Sequence, residues 1–358
     1  MNEKKGQKQT STPIPKQQKN LVQLRALIAQ LPAYCEDYFI GMESTSSVLT
    51  RINYAHDLKI FFQYLAYHTE EFSEKEPRQI TLQDLDAVTP QMIERFISYT
   101  TLYESQDGLL RDNHASGKER KLSALRSMYK YFQRQEMLKL NPAALAVAPR
   151  KHEKPILRLE PNEVAALIRL VENGEGLSPR QKKIQEKTKK RDMALLTLML
   201  GTGIRVSECV GINMDDIDFD AYSFRILRKG GASVILYFGD TVRQALLEYM
   251  EERKQIVPVN PADQNALFLS LQRKRIDVRS VENLVKKYAA IVTPLKKISP
   301  HKLRSTFGTN LYQQSGDIYL VADVLGHSDV NTTRRHYAAQ SDENRRSIIN
   351  MVKLRDDE

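Results

Sequence analysis

The chain has 358 residues, with 54 Lys and Arg against 44 Asp and Glu and a formal net charge of +10. That length is more than one hydrophobic core comfortably serves, so two domains are expected, and the cationic surplus favours a polyanionic partner without fixing fold or chemistry. Cys35 and Cys209 lie far apart in amphipathic contexts, which argues against a disulfide framework or a cysteine zinc site, and no apolar run approaches the ~18 residues of a membrane span.

The polar opening segment lacks a signal-peptide core, so a soluble, cytoplasmic protein with no membrane partner is expected. Residues 1–20 combine Lys, Gln, Ser, Thr and Pro with almost nothing to bury, the composition of a disordered arm. From Leu21 to Leu31 apolar residues recur at helical spacing, and a second helix is predicted over 46–67 with Leu58, Phe61, Phe62 and Leu65 on one side. Thr89 and Pro90 supply the cap and first turn of a third. A fourth covers 116–137 and sets Lys118, Arg120, Lys121, Arg126 and Lys130 opposite Leu122, Leu125, Met128, Tyr129 and Phe132. With no strand signal, residues 21–145 read as an all-helical module. Prolines then surround a basic run, Arg150, Lys151 and Lys154, and 146–158 is the expected linker; those cations either follow a polyanion's backbone or are simply solvated.

The remainder, 159–358, reads as a second domain. Helical periodicity over 160–172 is followed by a polar, cation-rich stretch and an apolar helix over 193–200. Ser223–Leu227 and Ser233–Phe238 form a hairpin through Arg228, Lys229, Gly230, Gly231 and Ala232. Asp240 is the expected cap of a helix to about Arg253, and further helices start at Ser280 and Ser299.

Six residues in this half carry chemistry. His301 and Arg304, three apart on a helix opened by Ser299 and Pro300, share a face, as any such pair does. Arg205 follows Gly201 and Gly203, which break the apolar helix; its planar fork suits the non-bridging oxygens of a phosphate, and an ion pair with Glu208 is the compatible structural explanation. Lys229 at the hairpin tip either reaches a nucleic-acid groove as a proton donor or is solvated. His327 follows Gly326, a left-handed helix stop, with Ser328 as the next cap. Tyr337 is one of 16 tyrosines, and Arg334, Arg335 and His336 before it lower the cost of its nucleophilic phenolate. No acidic cluster among the six would bind a metal, so the set points to phosphoryl transfer on nucleic acid.

Taken in order, TGIRVSE, the hairpin lysine, HKLRST, LGHSDVNTT and Tyr337 resemble the tyrosine recombinase (phage integrase-like) family in its Xer branch, from about Leu159 onward. Residues 21–145 resemble that family's core-binding domain. The length, the long N-terminal segment and the basic stretch from Arg180 to Arg191 are most similar to the single-protein Xer enzymes of streptococci, while the turn Gly230, Gly231, Ala232 departs from the family's usual polar turn.

The resemblance implies a mainly α, two-domain DNA clamp with a small β-hairpin sheet. It implies Tyr337 as nucleophile forming a 3′-phosphotyrosyl link, Arg205 and Arg304 neutralising the phosphorane, Lys229 as general acid, His301 assisting proton transfer and His327 donating to a non-bridging oxygen, with no cofactor, metal or ATP. The implied partner is double-stranded DNA, touched by Lys118, Arg120, Lys121, Arg126, Arg150 and Lys151. A homotetramer on two sites is implied too, exchanging a C-terminal helix with Ile348, Ile349, Val352 and Leu354, as are resolution of chromosome dimers at a dif-like site and control by a translocase of the FtsK type. Other readings are an integrase or transposon recombinase of a mobile element, a DNA-binding regulator that has lost catalysis, and a metal hydrolase built on His301, His327 and His336. The filled set of six argues against the second and the lack of a carboxylate set against the third.

Overall fold

A computed structural model describes residues 16–105, 108–149, 157–228, 231–327 and 329–337. The chain folds as two compact units, Met1–Glu153 and Lys154–Glu358.

The first unit contains α1 (Lys16–Ile28), α2 (Cys35–Gly41), α3 (Val48–His68), α4 (Leu82–Asp86), α5 (Pro90–Tyr99), α6 (Ala115–Arg134) and α7 (Pro142–Leu145). The apolar stripes make its core. Leu58, Phe61, Phe62 and Leu65 of α3 and Leu122, Leu125, Met128, Tyr129 and Phe132 of α6 are all at most 1% exposed and belong to one cluster. Each contributes on the order of 1.5–3 kcal/mol by leaving water. Thr89 caps α5, its Oγ1 accepting from the Met92 amide at 3.2 Å. One hairpin corrects the all-helical expectation: β1 (Leu102–Glu104) pairs antiparallel with β2 (Leu110–Asp112). Neither strand buries a side chain, so no alternation of apolar residues marks it in the sequence.

The second unit sets α8 (Pro161–Asn173), α9 (Pro179–Thr202), α10 (Val206–Cys209), α11 (Asp240–Lys254), α12 (Val278–Val292), α13 (Pro300–Ser315), α14 (Ile318–Leu325) and α15 (Val330–Tyr337) around a small antiparallel sheet. Its strands β3 (Ile217–Asp218), β4 (Ser223–Leu227) and β5 (Ser233–Tyr237) lie in sequence order, with Leu227 opposite Ser233 at the hairpin end. α9 runs through the core, where Leu195, Leu196, Leu198 and Met199 meet Phe224, Leu246, Tyr249, Phe268, Tyr288 and Leu303.

Two expectations change here. The cation-rich stretch before residue 193 is the first half of α9, not a separate segment. Ser178 Oγ accepts from the Gln181 amide, the Gln181 side chain accepts from the Ser178 amide at 3.0 Å, and Pro179 occupies the first turn, so the start is fixed by capping while Gln185 anchors the polar half by donating to Val171 O at 2.6 Å. Asp240 is not the cap of α11. Gly239 holds that position without a side-chain bond, and Asp240 is the first helical residue, where its charge complements the helix dipole. No helix among the described residues is long and apolar enough to cross a membrane.

Candidate active site

Two helix ends build the centre of the site. α9 stops at Gly203 (φ +62°), and α14 stops at Gly326 (φ +62°), both in the left-handed conformation that glycine adopts without penalty. At Gly203 the requirement is doubled, because a Cβ would lie 2.4 Å from Phe307 Cδ1 and 2.9 Å from Leu325 Cδ2. The last carbonyls of such helices lack intrahelical donors and carry the negative end of the dipole, so they call for a cation with several N–H groups.

Arginines fill that role. Arg304, one turn into α13 and 4% exposed, donates through Nη1 to Gly203 O at 2.6 Å and through Nη2 to Leu325 O. Arg205, at the entry to α10, donates through Nη2 to Gly326 O at 3.0 Å. Two guanidinium groups from distant parts of the chain thus bracket the turn Leu325–Gly326–His327. The Arg205–Glu208 pair is also present: Glu208 Oε1 accepts from Arg205 Nη1 at 2.9 Å and Oε2 from the Arg205 amide at 3.0 Å. Pairing and convergence coexist, since Nη1 serves Glu208 and Nη2 serves Gly326 O, different nitrogens of a five-donor fork.

His327 leaves the same turn with its Nδ1 2.7 Å from Thr333 Oγ1, and Thr333, on α15, is fully buried. That contact fixes the ring's direction. His301 sits exposed in the first turn of α13, so the face it shares with Arg304 runs from surface to interior. Pro300 opens that helix, but the Ser299 hydroxyl makes no cap bond. Tyr337 is the last residue of α15, the helix that supports His327 and packs on α13 and α14. Its side chain lies outside what the structure describes, as do Lys229 and Ser328.

Sequence reasoning passed over Thr333 and Arg228. Arg228, at the root of the β4–β5 hairpin, lays its guanidinium on Gly326 so closely that a Cβ there would be 1.9 Å from Nη1. The signals were positional: Thr333 lies six residues past His327 at the start of a helix, and Arg228 adjoins the hairpin lysine.

In the first unit, Lys118 is half-buried on α6, and Arg120 donates through Nη1 to Asp57 Oδ2 at 2.6 Å and to Asn53 O at 3.1 Å. Arg126 donates to Ala143 O at 2.9 Å and Ala146 O at 2.8 Å, tying α6 to α7. Lys121 departs from the expected basic face: it is 2% exposed, with its Nζ 3.1 Å from Asn113 Oδ1 and 3.5 Å from Asp57 Oδ1, and belongs to the buried frame. Burial pushes the Asp57 carboxyl up to about 6, against the opposing pull of Arg120 and Lys121. Arg150 and Lys151 lie outside the described residues. Among the described residues no group of three or more His, Cys, Asp or Glu side chains is placed to hold a metal ion, and the His336 side chain is outside them.

Residues 158–344 match the model of the phage integrase family. Tyrosine recombinase XerC of Thermodesulfovibrio yellowstonii is 31% identical over 300 residues, covering 82% of this chain and 87% of its own. Tyrosine recombinase XerC of Syntrophus aciditrophicus is 30% identical over 310 residues, covering 84% and 91%. Among solved structures, the XerH site-specific recombinase bound to a palindromic difH substrate in a post-cleavage complex has a similar fold, with a TM-score of 0.66 at 18% identity over 96% of this chain and 92% of that one. The Tn1549 transposon integrase in complex with transposon right end DNA gives 0.63 at 18% identity over 89% and 98%. With a family match over more than half the chain and relatives at this identity along most of its length, the chain belongs to the phage integrase family and is a tyrosine-type site-specific DNA recombinase.

Proposed function

We propose that the chain cuts and rejoins duplex DNA through a 3′-phosphotyrosyl intermediate on Tyr337, and that its task in the cell is the resolution of chromosome dimers at a dif-like site. The observation that carries the chemistry is the convergence of Arg205 and Arg304 on one three-residue turn. A pentavalent phosphorane gathers negative charge on its equatorial oxygens, and two preorganised guanidinium groups stabilise it without reorganising at the moment of reaction. The phenol attacks phosphorus, the 5′ oxygen leaves with a proton from Lys229, and the phosphodiester energy is kept in the protein–DNA bond until a 5′ hydroxyl of the partner strand reverses the step. His301 assists proton transfer near the nucleophile. With His327 Nδ1 turned to Thr333, donation to a non-bridging oxygen falls to its Nε2.

The cellular task rests on the relatives' kind: tyrosine recombinases named XerC, and a XerH recombinase on difH DNA as a structural neighbour. On this reading the chain is a single-protein Xer enzyme that works as a homotetramer on two sites, exchanges its C-terminal helix between protomers and answers to an FtsK-type translocase. DNA outside the reacting phosphate is held by Lys118, Arg120, Arg126, Arg150 and Lys151, with steep dependence on salt. A nicked suicide duplex tests the chemistry: wild type forms a covalent adduct in excess chelator and Tyr337→Phe forms none, and an adduct on the Phe variant refutes the assignment. Immunoprecipitation of the protein with its DNA tests the task. Enrichment at one chromosomal site near the replication terminus supports dimer resolution, whereas enrichment at the ends of a mobile element replaces it with an integrase role.

A further inference from the structure

Arg228 has no part in the scheme above, yet its position is unusual for a hairpin residue. Its amide donates to Ala232 O at 2.9 Å and its carbonyl accepts from the Gly231 amide at 3.0 Å, which pins its backbone at the root of the turn. The side chain does not extend into solvent from there. It folds back until it is 17% exposed and rests on Gly326, where only the missing Cβ leaves room. Its Nε is buried without a hydrogen-bond partner. Among the described residues it is paired with Glu208, whose Oε1 lies 3.9 Å away and is the same atom that accepts from Arg205 Nη1 at 2.9 Å.

Charge bookkeeping makes this arrangement informative. Arg205, Arg228 and Arg304 meet around the turn at 325–327, and among the described residues Arg205 and Arg228 share one carboxylate, Glu208. A guanidinium taken out of water beside another, without a hydrogen-bonded anion of its own, raises the free energy of the folded chain. Such a group is stabilised once an anion arrives. Because Arg205 and Arg304 address the carbonyl edge of the turn and Arg228 its Cα face, the third fork is offset from the other two.

We propose that Arg228 is a third phosphate-binding arginine of the site, holding the DNA phosphate that flanks the scissile one and so seating the strand before Tyr337 attacks. The inference rests on the recombinase reading and deepens it. It assigns to Arg228 a contact with substrate, and to Gly326 the task of leaving space for that fork.

The test uses the full-length protein and a synthetic duplex carrying a dif-like site. In Arg228→Gln the slope of log affinity against log salt becomes shallower by ~0.9, the loss of one phosphate contact, while the melting temperature without DNA stays the same or rises. Arg228→Lys, which keeps the charge, retains most of the slope. Single methylphosphonate linkages, which remove the charge of one phosphate, then locate the contact: the Gln variant's deficit disappears when the flanking phosphate is neutral and persists when any other is. An unchanged slope overturns the inference, as does a deficit that no flanking methylphosphonate absorbs or a fall in melting temperature that explains the loss of binding. Failure of the wider reading looks different, because then wild type forms no adduct on the nicked duplex while the salt slopes still judge Arg228.

Discussion

Replacing Arg304 by Lys keeps the charge and removes the fork, and its cost can be worked from two hydrogen bonds. Arg304 holds Gly203 O at 2.6 Å and Leu325 O with separate nitrogens, and it is 4% exposed. An ammonium on a single stem holds one of those carbonyls. The other is left buried without a donor, at about 1–3 kcal/mol. For a unit of this size 1 kcal/mol moves the melting temperature by about 2–4 °C, so a drop of roughly 4–8 °C is expected from the middle of that range. Rate falls further: a positioned donor lost from a site that binds developing oxyanion charge costs about 2.7–4 kcal/mol, or roughly 10²–10³-fold. Adduct formation on a suicide duplex under single-turnover conditions reads the rate, and thermal unfolding reads the stability. A variant that melts within about 1 °C of wild type refutes the claim that the fork holds both helix ends. A rate within about threefold refutes the claim that Arg304 faces the transition state.

Glycine replacements separate backbone strain from crowding. Gly316→Ala meets φ +64° with nothing within 4 Å and loses about 1 kcal/mol, whereas Gly203→Ala adds contacts at 2.4 and 2.9 Å and loses about 1–3 kcal/mol more; urea unfolding with equal losses would contradict this. Thr333→Val removes the partner of His327 Nδ1 and slows adduct formation by roughly fivefold, about 1 kcal/mol, with little change in melting; an unchanged rate would show that the contact does not orient the ring. Asp57 titrates in the folded state at about 6, above its ordinary 3.8, so the protonated form is favoured on folding. Its contribution is therefore present in full below 3.8 and is lost as pH rises through about 6. The stability difference between wild type and Asp57→Asn, measured by urea unfolding of the full chain, should shrink over that window, and growth of the difference would reverse the sign of the argument.

What the sequence made legible follows from which forces hold each element. α3 and α6 were readable because their apolar residues repeat with the helical period and all end up in one core. The first half of α9 was not, since it is held by a capping box and by the buried polar groups of Gln185, Thr188 and Asp192. Lys121 was misread for a related reason. Its neighbours on the helix are cations, but its ammonium finds Asp57 on α3, a long-range partner that no local pattern announces. At the site, motif order singles out Arg205, His301, Arg304 and His327 as candidates. It said nothing of why the arginines converge, because the acceptors that bring them to one turn are main-chain carbonyls, which every sequence possesses.

Those carbonyls also explain how such a site is held ready. Arg205 and Arg304 are fixed by the unmet acceptors of two helix ends, and the helix ends exist because Gly203 and Gly326 turn left-handed. On the proposed reading, the chain therefore orients its phosphate-binding groups with structural needs that persist when no DNA is present. This is the arrangement that electrostatic preorganisation requires, since donors already in place need not be reoriented as charge develops. It carries a consequence for substitutions at a distance. Any change that melts the last turn of α9 or α14 releases a guanidinium, so on this reading activity depends on residues such as Phe307, whose ring denies space to a side chain at Gly203.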